Sequence, residues 1–416
     1  MEITCKDRER LRHKAEACAK ILNSEDMRQR RERWNKSNRL LERSVPFVIE
    51  DNGSFFKDLT PPQECEGELA RQFEAQLLHV LSNYELIPDD RVFPPFFQIE
   101  WIISRPELCP ELKVTRVPDA TGRVLGYETN TPLADLESGL SKLRRDEFKV
   151  DREGTLRKVE EAKAAFGDLL PVGIVNSHVT GAAAGMSYKA VTWMGMDNFY
   201  MAMLDQPENV HRLFGFIARE AEDFLNWMIR ENLVRPNGAE FWCGSGSIAY
   251  SDELPRRPVD DKGPWLPEDC WGFTEAQEAV GISGEMFAEF IFPYMERLAK
   301  RYGLVYYGCC EPVHGLWESI KRLKNLRKAT ISPWCDQRIM AELAGKNCVL
   351  SRKPHPMQLC GETFAPDSFS SHIKETLDIA KDNFVELIFR DTCTLNGSMK
   401  GRVAEACGIV KRLIGR

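Results

Sequence analysis

No stretch of this 416-residue chain is apolar over anything like the length of a membrane span. Its opening, MEITCKDRERLRHKAEACAK, carries charges where a secretion signal needs an apolar core, so a cytoplasmic location and no membrane partner are expected. A basic excess is also missing: 56 Lys and Arg face 63 Asp and Glu, a net charge of −7, which argues against nucleic acid as a partner. The one basic run, RQRRER at 28–33, reads as a solvated helix face. No glycine loop of phosphate-binding spacing opens a helix after the first strand. GSGSIAY from Gly244 lacks that spacing, which argues against an open dinucleotide-binding sheet. What is there suits a folded α/β protein, with 43% hydrophobic and 29% charged residues. Thirteen cysteines in a reducing compartment are left with packing, metal ligation or catalysis as roles.

The spacing of Leu11, Ala15, Cys18, Ile21 and Leu22 predicts helix, and residues 1–44 read as an N-terminal extension of two helices. VPFVIEDNG from Val45 reads as a strand closed by a turn at Asp51-Asn52-Gly53. Residues 86–125 hold many of the prolines, among them Pro94, Pro95, Pro106 and Pro118, and read as irregular chain outside the regular core. After 125 the pattern becomes rhythmic. LLPVGIVNS, GAEFWCGSG, GLVYYGCC, LRKATISPW, CVLSRK and FVELIFRDTCT read as strands. Amphipathic segments such as SGEMFAEFIFPYMERLAKRYG and DSFSSHIKETLDIAKDN separate them. Such alternation predicts a parallel sheet, and eight units close a (β/α)8 TIM-type barrel, here spanning 45–416. About six units lie after 125, and the rest are placed in the first third.

Barrel residues at the C-terminal ends of strands face the active-site mouth. That rule collects Asn176 and His178, Glu240, Trp242 and Cys243, Cys309, Cys310 and Glu311, Cys335 and Asp336, Arg352, Lys353 and His355, and Asp391 with Cys393. Thiolates converging from separate strands suit zinc, which in catalytic sites keeps three protein ligands and one open position. The plain alternative is that a cysteine near a strand is a small buried hydrophobe. His178 and Glu240 are candidate proton donors, and Asn176 and His355 candidate polar contacts to a substrate. Trp193, Trp242, Trp271 and Phe273 either wall a flat apolar substrate or fill the barrel core.

The block GEMFAEFIFPYMERLAKRYGLVYYGCCEPVHGLWESIKRLKNLRKATISP resembles the uroporphyrinogen decarboxylase superfamily, where a helix with a central F..P leads into a strand ending in a metal-binding cysteine. MDNFYMAMLDQPENVHRLF, DLESGLSKLRRDEFKVDREG and FRDTCTLNG are similar to further parts of that superfamily, so the likeness runs over about residues 130–416. The arginine-rich RQAGRY element with which the decarboxylase grips carboxylates has no counterpart here. The cysteines are instead similar to those of the zinc- and corrinoid-dependent methyltransferases. That resemblance implies zinc held by a subset of Cys309, Cys310, Glu311 and Cys393, and a corrinoid (cobalamin) carried on a partner protein. It also implies transfer of a methyl group from a small donor, such as an aromatic O-methyl ether, to cobalt. The family's His-x-Cys pair is broken, because Tyr307 or Gly308 stands where the histidine belongs. Transfer from a methyl-corrinoid to a thiol, and a non-catalytic corrinoid- or porphyrin-binding module, are the alternatives. The charged N-terminal helices suit packing in a homodimer.

Overall fold

A computed structural model describes residues 3–51, 58–118, 124–238, 242–256 and 263–416. Short runs rich in β-branched and aromatic residues form parallel strands: β1 (Phe47–Ile49), β2 (Phe97–Glu100), β3 (Val172–Val175), β4 (Trp271–Thr274), β5 (Leu304–Tyr307), β6 (Leu326–Ile331), β7 (Val349–Arg352) and β8 (Phe384–Phe389). Six of them make one sheet in the order β1-β8-β7-β6-β5-β4, while β2 and β3 pair separately. The period of two along each strand divides the sheet into two faces. Val305, Tyr307, Ala329, Ile331, Leu350, Leu387 and Phe389 join the core shared with the outer helices. Tyr306, Lys328, Thr330, Ser351 and Glu386 point the other way and bond to one another or across the lumen.

The complete barrel expected from the sequence is therefore not confirmed; the sheet is a six-stranded half-barrel beside a two-stranded pair. At both breaks, side chains satisfy edge groups that a neighbouring strand would otherwise bind. On β1, the Phe47 and Ile49 N–H groups donate to the carboxylates of Asp90 (3.0 Å) and Asp89 (2.9 Å). On β4, the Trp271 N–H donates to Asn237 Oδ1 (2.7 Å), and Asn237 Nδ2 donates back to the Trp271 carbonyl (3.0 Å). Asn176, just past β3, likewise donates to the Leu233 carbonyl at 3.0 Å.

Three further expectations change. GAEFWCGSG, read as a barrel strand, contributes instead to a small antiparallel hairpin of Trp242–Gly244 with Ser247–Ile248. Its glycines are required by space: Gly244 sits at φ +126, and a Cβ there would meet the Phe273 ring at 2.1 Å. The proline-rich stretch, read as irregular, holds β2, whose Phe97 and Ile99 are buried. Prolines flank that strand without entering it. The WGFT strand β4 escaped notice because four residues with a central glycine carry almost no periodic signal.

The N-terminal helices are built into this core. In α1 (Cys5–Leu22) and α2 (Glu25–Asn38) the first-turn N–H groups of Asp7 and Met27 donate to the capping hydroxyls of Thr4 and Ser24. α1 packs on α3 (Glu68–Leu86) and α4 (Arg152–Phe166). Leu11, Cys18 and Trp34 share a cluster with Val48 of β1 and Ile388 of β8. Trp34 is fully buried, donates Nε1–H to the Asp90 carbonyl (2.7 Å), and lies with its ring centre 5.0 Å from Lys328 Nζ. Lys328 in turn bonds Glu386 (2.8 Å), Ser247 (2.7 Å) and the Ile248 carbonyl (3.0 Å), anchoring the hairpin inside the sheet.

Candidate active site at the strand ends

Beyond Tyr307 the chain leaves β5 through Gly308, at φ +101, and this turn presents Cys309 and Cys310 side by side. Because the strand has ended, the two side chains need not point to opposite faces, and their sulfurs lie 3.7 Å apart. Glu311 follows, wholly buried. One carboxylate oxygen accepts the Cys309 N–H and the other the Ala276 N–H, each at 3.0 Å. Glu311 thus ties the end of β5 to the loop leaving β4.

Two cations stand against this turn. Arg390, just past β8, places Nη1 3.5 Å from Cys309 Sγ and 2.9 Å from Ser245 Oγ at the hairpin tip, and pairs with Glu50 at 3.1 Å. Lys353, just past β7 and buried, donates to Tyr306 Oη (2.9 Å) and Thr330 Oγ1 (2.7 Å). Burial and the neighbouring Arg390 lower the Lys353 ammonium to about 8. The Cys310 thiol hydrogen-bonds Cys309, and with the charges of Arg390 and Lys353 and the Ser245 hydroxyl it outweighs burial, lowering the Cys309 thiol to about 6. Cys310 moves the other way, its proton held by the Cys309 sulfur, by burial and by Asp391. The turn therefore presents a thiolate and a thiol over a cationic floor.

The donors implied for zinc fit it only in part. A sulfur separation of 3.7 Å matches two corners of a tetrahedron with Zn–S bonds of about 2.3 Å. Beyond those two, the set does not assemble. Both Glu311 oxygens are engaged by backbone amides, Cys393 is exposed on the one-turn helix Thr392–Thr394, and an arginine occupies the space beside Cys309. Among the described residues no three His, Cys, Asp or Glu groups come together in a metal-binding arrangement.

The remaining candidates are scattered. Asn176 is a buried strut, and its Oδ1 also accepts the His178 N–H at 3.1 Å. His178 opens the short helix His178–Gly181 with its ring edge-on to Phe224, and burial with Arg105 nearby lowers its pKa. His355 is exposed, accepting the Met357 N–H at Nδ1. Glu240 lies outside the described residues. Of the four aromatics, Trp193, Trp271 and Phe273 are core, whereas Trp242 is half exposed. His314 is occupied locally, its Nδ1 meeting Cys335 Sγ and the Asp336 N–H.

Lys353 stands among the strand-end residues picked out from sequence, though without a role, whereas Arg390 was not picked out. The available signal was charge at period two inside apolar strands: Glu386 and Arg390 lie four apart in FVELIFRD, on the lumen-facing side.

No family model and no curated protein matches the chain. Solved structures do. A methyltransferase from Methanosarcina mazei superposes with a TM-score of 0.50 over 92% of this chain and 98% of that one, at 11% identity. At that identity the likeness is one of fold.

Proposed function

We propose that this chain is a methyltransferase whose reaction centre is the Cys309–Cys310 turn. The observation that carries the reading is the pairing of a thiolate with two cations at the C-terminal ends of parallel strands, on a fold shared along nearly its whole length with a methyltransferase. The donor in this reading is a small methyl compound such as an aromatic O-methyl ether, and the acceptor a corrinoid carried by a separate protein. When bound, the corrinoid supplies the nucleophile that takes the methyl group.

The chain's own residues serve the leaving side. An alkoxide or phenoxide leaves poorly unless its developing charge is met by pre-positioned donors, and Arg390 with Lys353 supplies positive charge at this place. Glu50 and Ser245 hold the guanidinium, so little reorganisation is needed as charge develops. Glu311 and Gly308 fix the turn that carries the thiols. Two thiols fall short of the three protein ligands of catalytic zinc, so no step is routed through the metal.

The test is methylation of a reduced corrinoid protein by a panel of methoxyarenes, followed through the cobalt absorption spectrum. Arg390→Met and Lys353→Met are each expected to slow transfer by about 100-fold, the scale of losing one pre-positioned charge donor. No spectral change with any donor, or wild-type rates in both variants, would overturn the proposal.

A further inference from the structure

The turn that carries Cys309 and Cys310 is held from both sides. The Thr330 hydroxyl donates to the Gly308 carbonyl at 2.7 Å, and Glu311 accepts the Cys309 N–H at 3.0 Å. Between these anchors the two sulfurs stand 3.7 Å apart, so closing them to a disulfide of about 2.05 Å takes a movement of about 1.7 Å. The resulting ring is strained, because consecutive Cα atoms lie about 3.8 Å apart, below the roughly 4.4–6.8 Å of ordinary disulfides. A strained disulfide is reduced easily, which makes such a bond reversible rather than structural.

Both cysteines are partly exposed and open to a small reagent, whereas Cys243, Cys270, Cys348 and Cys407 are buried. Burial also raises the Cys243 and Cys348 thiols, to about 11 and 12, and so withholds the thiolate that reacts. Among the described residues no third ligand group joins the pair to make a metal site. The Arg390 guanidinium, 3.5 Å from Cys309 Sγ, repels a dication at that sulfur but not a neutral peroxide, and its charge favours release of hydroxide. An accessible reactive sulfur with a second sulfur in reach is the arrangement of oxidant-sensing cysteines.

We infer that Cys309 and Cys310 are an oxidisable pair, which a peroxide converts into a disulfide between adjacent residues and a dithiol restores. The Cys309 thiolate attacks one peroxide oxygen; the oxygen–oxygen bond breaks, leaving a sulfenic acid on Cys309 and releasing hydroxide. The Cys310 sulfur then attacks the Cys309 sulfur, the sulfur–oxygen bond breaks, and the departing hydroxide takes the Cys310 proton as water. The cysteines lose two electrons and the peroxide gains them. In the reverse direction the dithiol gives up two electrons and becomes a disulfide itself.

Peroxide treatment of the full chain, reduced and then freed of reductant, tests the assignment, with tryptic mapping as the readout. Peptide 302–321 contains Cys309 and Cys310 and no other cysteine. It is expected to lose the mass of two hydrogens and its reactivity toward iodoacetamide, and to regain both with dithiothreitol. Cys310→Ser should stop at the sulfenic acid, captured on Cys309 by dimedone. Three results would overturn the inference: both thiols still alkylated after peroxide, Cys309 joined to Cys393 or to a second chain instead, or stoichiometric zinc in the purified protein that blocks the oxidation. Should the serine variant misfold, the mapping of the unmodified chain decides alone. No corrinoid protein is present, so a failure of methyl transfer leaves this inference standing, and a failure of disulfide formation leaves the methyltransferase reading standing.

Discussion

Cys309 and Cys310 begin with the same thiol chemistry, and position alone separates them. One faces Arg390 and a hydroxyl; the other faces the first sulfur and Asp391. A depressed thiol pKa means that the thiolate persists above about pH 6 and is lost as the pH falls through that value, against about 8.5 for an unperturbed cysteine. Alkylation by iodoacetamide, with Cys309 followed by peptide mass spectrometry, should show its rate midpoint near pH 6. Arg390→Met should move that midpoint upward, because a cation favouring the thiolate is gone. A midpoint near 8.5 in the unmodified protein would contradict the thiolate description. The vicinal cysteines were conspicuous in the sequence as a chemical feature. Their opposed character was not, because it is set in part by groups 44 to 81 positions from Cys309 along the chain, from Lys353 to Arg390.

At the scale of elements, the sheet ends where side chains substitute for strands. Asn237 meets both the N–H and the carbonyl of Trp271, so the edge of β4 is closed without a neighbouring strand. Asn237→Ala leaves both groups buried and unpaired and should destabilise the fold by about 2–4 kcal/mol. Asn237→Asp keeps the acceptor, loses the donor, and should cost less. Urea unfolding midpoints measure both, and an alanine variant as stable as the original would show that the edge is closed by something else. Periodicity identified β5 to β8 and β3 because each is a distinct apolar run between turn signals. It could not show that the ladder breaks on either side of β2 and β3, since an Asn or Asp side chain bonded to a strand edge leaves no periodic trace.

For the molecule as a whole, the helices at 1–44 are structural members rather than an appendage. Trp34 seals the sheet beneath Lys328 and Glu386, a wholly buried ion pair whose charges tolerate little water-free space without partners. Trp34→Ala should cost about 3–5 kcal/mol by denaturant unfolding, as for a large aromatic removed from a packed core. Deletion of residues 1–44 uncovers Val48 and Ile388 as well and should abolish soluble folding. A soluble deletion product with native dichroism and an unchanged melting temperature would show these helices to be separable. Among the described residues no helix is long and apolar enough to cross a membrane.

The sequence by itself determined the α/β class of the fold and singled out the cysteine pair at a strand end. Alternating strand and helix patterns are local, and a cysteine pair at a strand end can be read from neighbours alone. Tertiary structure decided the rest. It broke the expected closed barrel into six strands and two, drew Glu311 away from ligation into backbone contacts, and set Arg390 and Lys353 beside the thiols. Each of these depends on groups far apart in the chain, and contacts between such groups exist only once the sheet has formed.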